Sequence, residues 1–307
     1  MSQASRVIPG QALFITRRTE RRTFLLRPDE ALNQLVLYLV ALFAQKFSMC
    51  VSAIVVLSDH YHMVVTDPLG WRPDFVRELH RVLALCVKVL RKWDGVVWEP
   101  DKQSTVELLT PQAVVQQMVY TWLNAVRAGL VKDARQWPGV TTGLESLDGP
   151  ALVIQRPERS WLNVASGLWP EQVELKLQMP PMLAELGLGK ARRMLKAELE
   201  RQLAEAEAHR RERGWKVLGA KRCKKVSPQA RATSWEPVRS RTPVLAVGRG
   251  LKELRKAAIA ELQQFRAEYR EALERWRQGK RRVLFPYGTW AMVKLHGARV
   301  RAPAPSR

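Results

Sequence analysis

Two histidines one residue apart, His60 and His62 in the run Ser58-Asp59-His60-Tyr61-His62-Met63-Val64-Val65, stand out in this sequence as residues able to do chemistry. On a β-strand, residues i and i+2 share a face, so both imidazoles aim one way while Tyr61 points to the other. Two adjacent nitrogen donors are the start of a divalent-metal site. The pair also reads as polar side chains on a solvated edge strand. Scarcity raises the ligand reading, because the 307 residues hold five histidines and two stand here. A second group lies on a helix predicted from Gln112 to Leu130. There Tyr120, Asn124 and Arg127 fall at i, i+4 and i+7, beside an apolar face of Val115, Val119, Trp122, Leu123, Val126 and Leu130. A phenol can attack a phosphodiester, an amide oxygen can ligate a hard cation, and a guanidinium can grip a phosphate in a fork. Without that chemistry, the stripe is a half-buried tyrosine with Asn124 and Arg127 in solvent.

These residues need elements to hold them. Gln11 to Thr16 reads as a strand, followed by the basic turn Arg17-Arg18-Thr19-Glu20-Arg21-Arg22. Pro28-Asp29-Glu30 starts a helix that runs to about Lys46. Met49 to Leu57 and Tyr61 to Thr66 form a hairpin around Ser58-Asp59, with the histidines at the start of the returning strand. Pro73 opens an amphipathic helix to about Trp93, and strand character returns at Val96-Val97-Trp98 and Thr105 to Leu109 before the Tyr120 helix. The order strand–helix–strand–strand–helix–strand–helix predicts an α+β fold. It is a ferredoxin-like split βαβ antiparallel sheet with helices on one face and one added helix. Residues 143–182 are rich in Gly and Pro and read as an irregular connector. Two charged helices, about Leu183 to Arg213 and Lys252 to Gln278, suggest a helical hairpin, and Arg299 to Arg307 reads as a disordered end.

Composition narrows the partners. The longest apolar run, Leu35 to Ala44, is too short to span a bilayer. The N-terminus lacks a secretory pattern, and Cys50, Cys86 and Cys223 form neither a disulfide framework nor a metal spacing, which together suit a reducing cytoplasm. The net charge of +22 favours a polyanionic partner. It is concentrated in one half: residues 1–150 hold 17 Lys and Arg against 14 Asp and Glu, and residues 151–307 hold 34 against 15. Nucleic acid is the expected partner, with Arg17, Arg18, Arg21, Arg22 and Arg127 as phosphate contacts. Trp161, Trp169, Trp215, Trp235 or Trp290 are available to stack on unpaired bases or to serve as core.

His60-Tyr61-His62 has the His–hydrophobic–His form that names the HUH endonucleases, and Val55 to His62 resembles that hairpin in the REP-associated tyrosine transposases. Tyr120 to Val131 resembles their active-site helix, where the family reads Tyr, three residues, Asn, then Pro-Val-Arg-Ala-Gly-Leu-Val. Ala125 stands in place of that proline, Asp59 and Tyr61 depart from the hairpin pattern, and Trp137-Pro138 matches a downstream element. The resemblance covers residues from about 8 to 142 and makes 1–142 the catalytic domain and 183–307 a basic extension. It implies cleavage and joining of single-stranded or hairpin DNA in transposition, through a 5′-phosphotyrosine on Tyr120. His60, His62 and Asn124 would ligate Mg²⁺ or Mn²⁺. A homodimer is open. The departures keep an alternative in play: a domesticated, non-cleaving binder of structured DNA or RNA. A phosphodiesterase using water in place of Tyr120 is a third reading.

Overall fold

A computed structural model describes residues 4–100, 103–158, 162, 167–234 and 243–303. The chain opens with strand β1 (Gln11–Arg18), helix α1 (Glu30–Lys46), strands β2 (Cys50–Val56) and β3 (His60–Asp67), helix α2 (Arg72–Arg91) and strand β4 (Ser104–Leu108). Local chemistry sets these boundaries. The Asp29 carboxylate accepts the Leu32 amide and caps α1, and it also takes Arg91 at the far end of α2, so one side chain ties the two helices together. The buried Asp67 carboxylate accepts the amides of Leu69, Gly70, Trp71 and Arg72, which closes the turn from β3 into α2.

The sheet runs β2-β3-β1-β4 with every one of these neighbours antiparallel, the strand order of the split βαβ unit. Its two faces are covered differently. In β3, Tyr61 meets His80 of α2, whereas His62 meets Tyr120 of helix α3 (Pro111–Trp122). Since successive strand residues alternate faces, α1 and α2 lie on the Tyr61 face and α3 covers the histidine face. The added helix therefore closes the opposite side of the sheet.

The expected single helix from Gln112 to Leu130 is two. Helix α3 stops at Trp122, Leu123 takes φ −90° and ψ 5°, and a single turn, α4 (Asn124–Arg127), follows. Asn favours turns and caps over helix interiors, consistent with a break at this place. The apolar period continues through the break, so the sequence reads as one helix. The end at Gly129 is as expected: with φ +68°, it donates to Val126 O while Leu130 donates to Ala125 O, a Schellman closure.

Beyond residue 142 the chain keeps building the same body. Strands β5 (Leu152–Gln155) and β6 (Gln172–Leu175) form a hairpin against α1, inside the stretch expected to be irregular. Helices α5 (Pro181–Ala184) and α6 (Leu188–Glu212) are separated by Gly187 at φ +88°, and α6 packs on α3. Helix α7 (Ala220–Lys225) precedes strand β7 (Leu245–Ala246), which adds to β4 in parallel as a fifth strand. Helix α8 (Lys252–Arg277) packs on β7 and on β8 (Leu284–Phe285), so α6 and α8 take different neighbours instead of pairing as a hairpin. Helix α9 (Ala291–His296) and strand β9 (Arg299–Val300) complete the described chain. Pairing of β9 with β8 gives structure to residues expected to be disordered.

A continuous core joins sheet, α1, α2 and α3 to Val173, Leu175, Leu177, Leu183, Leu195 and Cys223, so packing runs across the expected boundaries at 142 and 182. A second, small core of Ala272, Val283, Phe285, Met292 and Ala298 holds the end of α8 to the β8–α9–β9 segment. No helix among the described residues is long and apolar enough to cross a membrane.

Candidate active site

His60 and His62 open β3 and project from one face, their ring centroids 4.8 Å apart. The antiparallel register sets Arg18 opposite His60 and Thr16 opposite His62, so both β1 residues share that face. Thr16 Oγ1 lies 2.7 Å from His62 Nδ1, and the Phe14 ring stacks on the imidazole at 5.0 Å. His60 Nδ1 lies 2.7 Å from Asp59 Oδ1. Both Nδ1 atoms are thus engaged by oxygen, the arrangement that orients metal-binding imidazoles through their other nitrogen.

Electrostatics support the same use. Burial, with the charges of His60 and Arg18, holds His62 well below the ordinary histidine range, so its imidazole is neutral. Burial works against ionisation of Asp59, but hydrogen bonds and the charges of His60 and Arg22 outweigh it and set the carboxyl at about 2. An ionised carboxylate only accepts, so His60 Nδ1 is the donor of this hydrogen bond.

Tyr120, on the last turn of α3, is half-buried with its ring 5.3 Å from the His62 ring and 6.0 Å from Phe14. The Arg127 guanidinium, at the exposed end of α4, stands 5.4 Å from the Tyr120 ring. Asn124 lies just past the break, 5% exposed, and its Oδ1 is buried without a hydrogen-bond partner. A buried amide oxygen in that state costs free energy unless something else satisfies it. What the residues offer a divalent cation is two imidazoles whose Nδ1 atoms are already engaged by oxygen and, just past the Tyr120 helix, one orphaned amide oxygen. No cluster of three His, Cys, Asp or Glu side chains able to hold a metal occurs among the described residues.

The basic residues of the first strand separate. Arg18 is on the histidine face. Arg17 lies on the other side, its guanidinium 5.8 Å from the Trp98 ring, next to Tyr61 and His80. Arg21 is exposed and paired with Glu20, while Arg22 donates to Asp59 and to Ser234. Arg22 is thus built into the fold. His80 is a satisfied core residue with Nε2 2.5 Å from Tyr61 Oη. Trp215 is 48% exposed beside Arg213, whereas Trp169 packs on the core and Trp290 is half-buried; Trp161 and Trp235 fall outside the described residues. Phe14, Thr16 and Asp59 escaped the sequence reading. Only Asp59 left a signal, as a carboxylate beside a histidine in a tight turn.

No protein-family profile and no curated protein matches the chain. Among solved structures, a REP-associated tyrosine transposase bound to a REP hairpin is similar over 55% of this chain and 89% of its own, at 21% identity and a TM-score of 0.40. A protein from Deinococcus radiodurans R1, described there as a transposase candidate, is similar over 34% of this chain and 85% of its own, at 18% identity and a TM-score of 0.28.

Proposed function

We propose that the chain cleaves and rejoins single-stranded DNA through Tyr120, with a divalent cation held at His60 and His62, as in DNA transposition. The observation that carries this reading is the meeting of a half-buried phenol with two oriented imidazoles on one sheet face. Tyr120 Oη attacks the scissile phosphorus. The Oη–P bond forms and the bond to the 3′-oxygen breaks, with the phenolic proton passing to solvent and the leaving 3′-oxygen taking one up. The products are a 5′-phosphotyrosine and a 3′-hydroxyl, and the hydroxyl can reverse the step at another phosphotyrosine. His60, His62 and Asn124 would hold Mg²⁺ or Mn²⁺, the imidazoles favouring Mn²⁺, and the ion would supply Lewis-acid polarisation of the phosphate.

The chain's own residues supply the rest. Arg127 stands over the phenol, where a phosphate reaching Tyr120 would also meet a guanidinium. Arg18 adds positive charge on the same face. The sequence-tolerant grip on DNA comes from the Lys and Arg surplus of residues 151–307. Hairpin DNA with a single-stranded flank is the proposed substrate form.

The test is a labelled hairpin oligonucleotide incubated with the protein and Mn²⁺, then run on a denaturing gel. A covalent adduct that disappears in Tyr120→Phe is the expected result. Tight binding with no adduct would identify a non-cleaving binder, and cleavage that survives Tyr120→Phe would identify water as the nucleophile.

A further inference from the structure

The Asp59 carboxylate that orients His60 is itself held from about 170 residues away in sequence. Asp59 Oδ1 accepts from His60 Nδ1 at 2.7 Å and Oδ2 accepts from Arg22 Nε at 3.1 Å. The other nitrogens of Arg22 reach a different part of the chain: Nη1 donates to the Ser234 carbonyl at 2.6 Å and Nη2 to Ser234 Oγ at 3.1 Å. Ser234 belongs to a segment that lies along the basic turn like a strand. Phe24 N donates to Ala230 O, Ala232 N donates to Arg22 O, and Thr23 bridges Arg231. The same segment is anchored beside the nucleophile's helix. Leu218 N donates to Gly129 O and Gly219 N to Leu130 O, at the Schellman end of α4. Between these anchors, the Val226 carbonyl accepts from Arg27, and Gln229 donates to the Arg91 carbonyl. Residues 218–234 therefore form a strap that touches the end of α4 on one side and the basic turn Arg22–Phe24 on the other, and Arg22 carries the contact on to Asp59 of the histidine hairpin.

Two further observations fit a strap that holds the turn. Arg21 and Arg22 take φ +50° and +56°, a left-handed conformation that non-glycine residues keep only where surrounding contacts impose it. Asp59 is fixed a third time, because its carbonyl accepts from the amide of Thr19.

We propose that the strap 218–234 sets the metal-binding half of the active site through the relay Ser234–Arg22–Asp59–His60, with Arg22 and Asp59 as positioning residues that present His60 Nε2. The assignment rests on the reading of His60 as a metal ligand, so its test needs a readout without metal or DNA. The full chain, labelled with ¹⁵N-histidine, gives the His60 tautomer from its two-bond proton–nitrogen correlations. The wild type is expected to carry the proton on Nδ1. Asp59→Ala, Arg22→Ala and Ala232→Pro, the last undocking the strap without touching the site, are each expected to give a mixture of tautomers. In a parallel titration, each is expected to weaken Mn²⁺ binding by about 10–100-fold, the usual effect of losing a partner behind a metal ligand. Circular dichroism identifies any variant that fails to fold, and the remaining variants then decide. A His60 tautomer that ignores Arg22→Ala and Ala232→Pro overturns the proposal, whatever the Mn²⁺ affinity does. A tautomer change in a protein that binds no Mn²⁺ leaves the relay standing and removes the metal reading instead.

Discussion

Asn124 keeps a buried amide oxygen with no partner, a state that a bound ion or water would relieve. Asn124→Leu removes the orphaned oxygen while keeping the branched four-atom shape of the side chain, so stability to urea should stay level or rise by about 1 kcal/mol, while Mn²⁺-dependent adduct formation falls. A large loss of stability in the urea titration would mean that the amide is structural. His80 offers a pH test on the opposite face. Burial, with the Arg17 charge, lowers its pKa to about 3, against an ordinary value of 6.5. Its neutral form belongs to the folded state, so its contribution is complete above about pH 6.5 and is lost as the pH falls toward 3, at about 1.4 kcal/mol per pH unit. His80→Phe should flatten the fall in unfolding free energy between about pH 7 and pH 5. Alternation along a strand made the shared face of His60 and His62 legible in the sequence. The oxygen partners differ: Thr16 meets His62 only through a register between residues 46 apart, and nothing local in either segment encodes that pairing.

At the scale of elements, the order of strands and helices up to α3 could be read from period and caps because each boundary has a local cause: Asp29 at α1, Asp67 before α2, Thr110 at α3 and Gly129 after α4. The break at Leu123 could not, since the apolar face runs straight through it. It makes a specific prediction about Ala125, which sits in the first turn of α4. A proline inside a continuous helix costs about 3 kcal/mol, but little in a first turn. Ala125→Pro should therefore change the unfolding free energy by less than about 1 kcal/mol, and a loss near 3 in chemical denaturation would show that α3 and α4 behave as one helix. The hairpin β5–β6 was illegible for a different reason. Its strands have four residues each and are mostly exposed, with one buried position in β5 and two in β6. That leaves too short a pattern to stand out among Gly and Pro.

At the scale of the whole molecule, charge was legible and packing was not. A surplus of Lys and Arg in residues 151–307 reads as an extension. However, Leu183 and Leu195, both 0% exposed, sit in the same core as the sheet. A chain ended after Thr142 loses α6 from α3 and the β5–β6 hairpin from α1, and it should aggregate or unfold without a cooperative transition by circular dichroism. For the full chain, affinity for single-stranded DNA should fall with salt, with a log–log slope of about −0.7 for each phosphate neutralised. Replacing exposed arginines of α8 should reduce that slope in a fluorescence-anisotropy titration if the helix lies on the DNA.

Both borders of the sheet are occupied by the chain's own later segments. On one side β7 pairs with β4; on the other, Val140 and Thr142 bond along β2 and Gln178 donates to Val51. Unpaired border strands are where sheets recruit foreign backbone, either to assemble or to aggregate. With those hydrogen-bonding positions taken from within, two copies of this protein cannot merge their sheets into one through these positions.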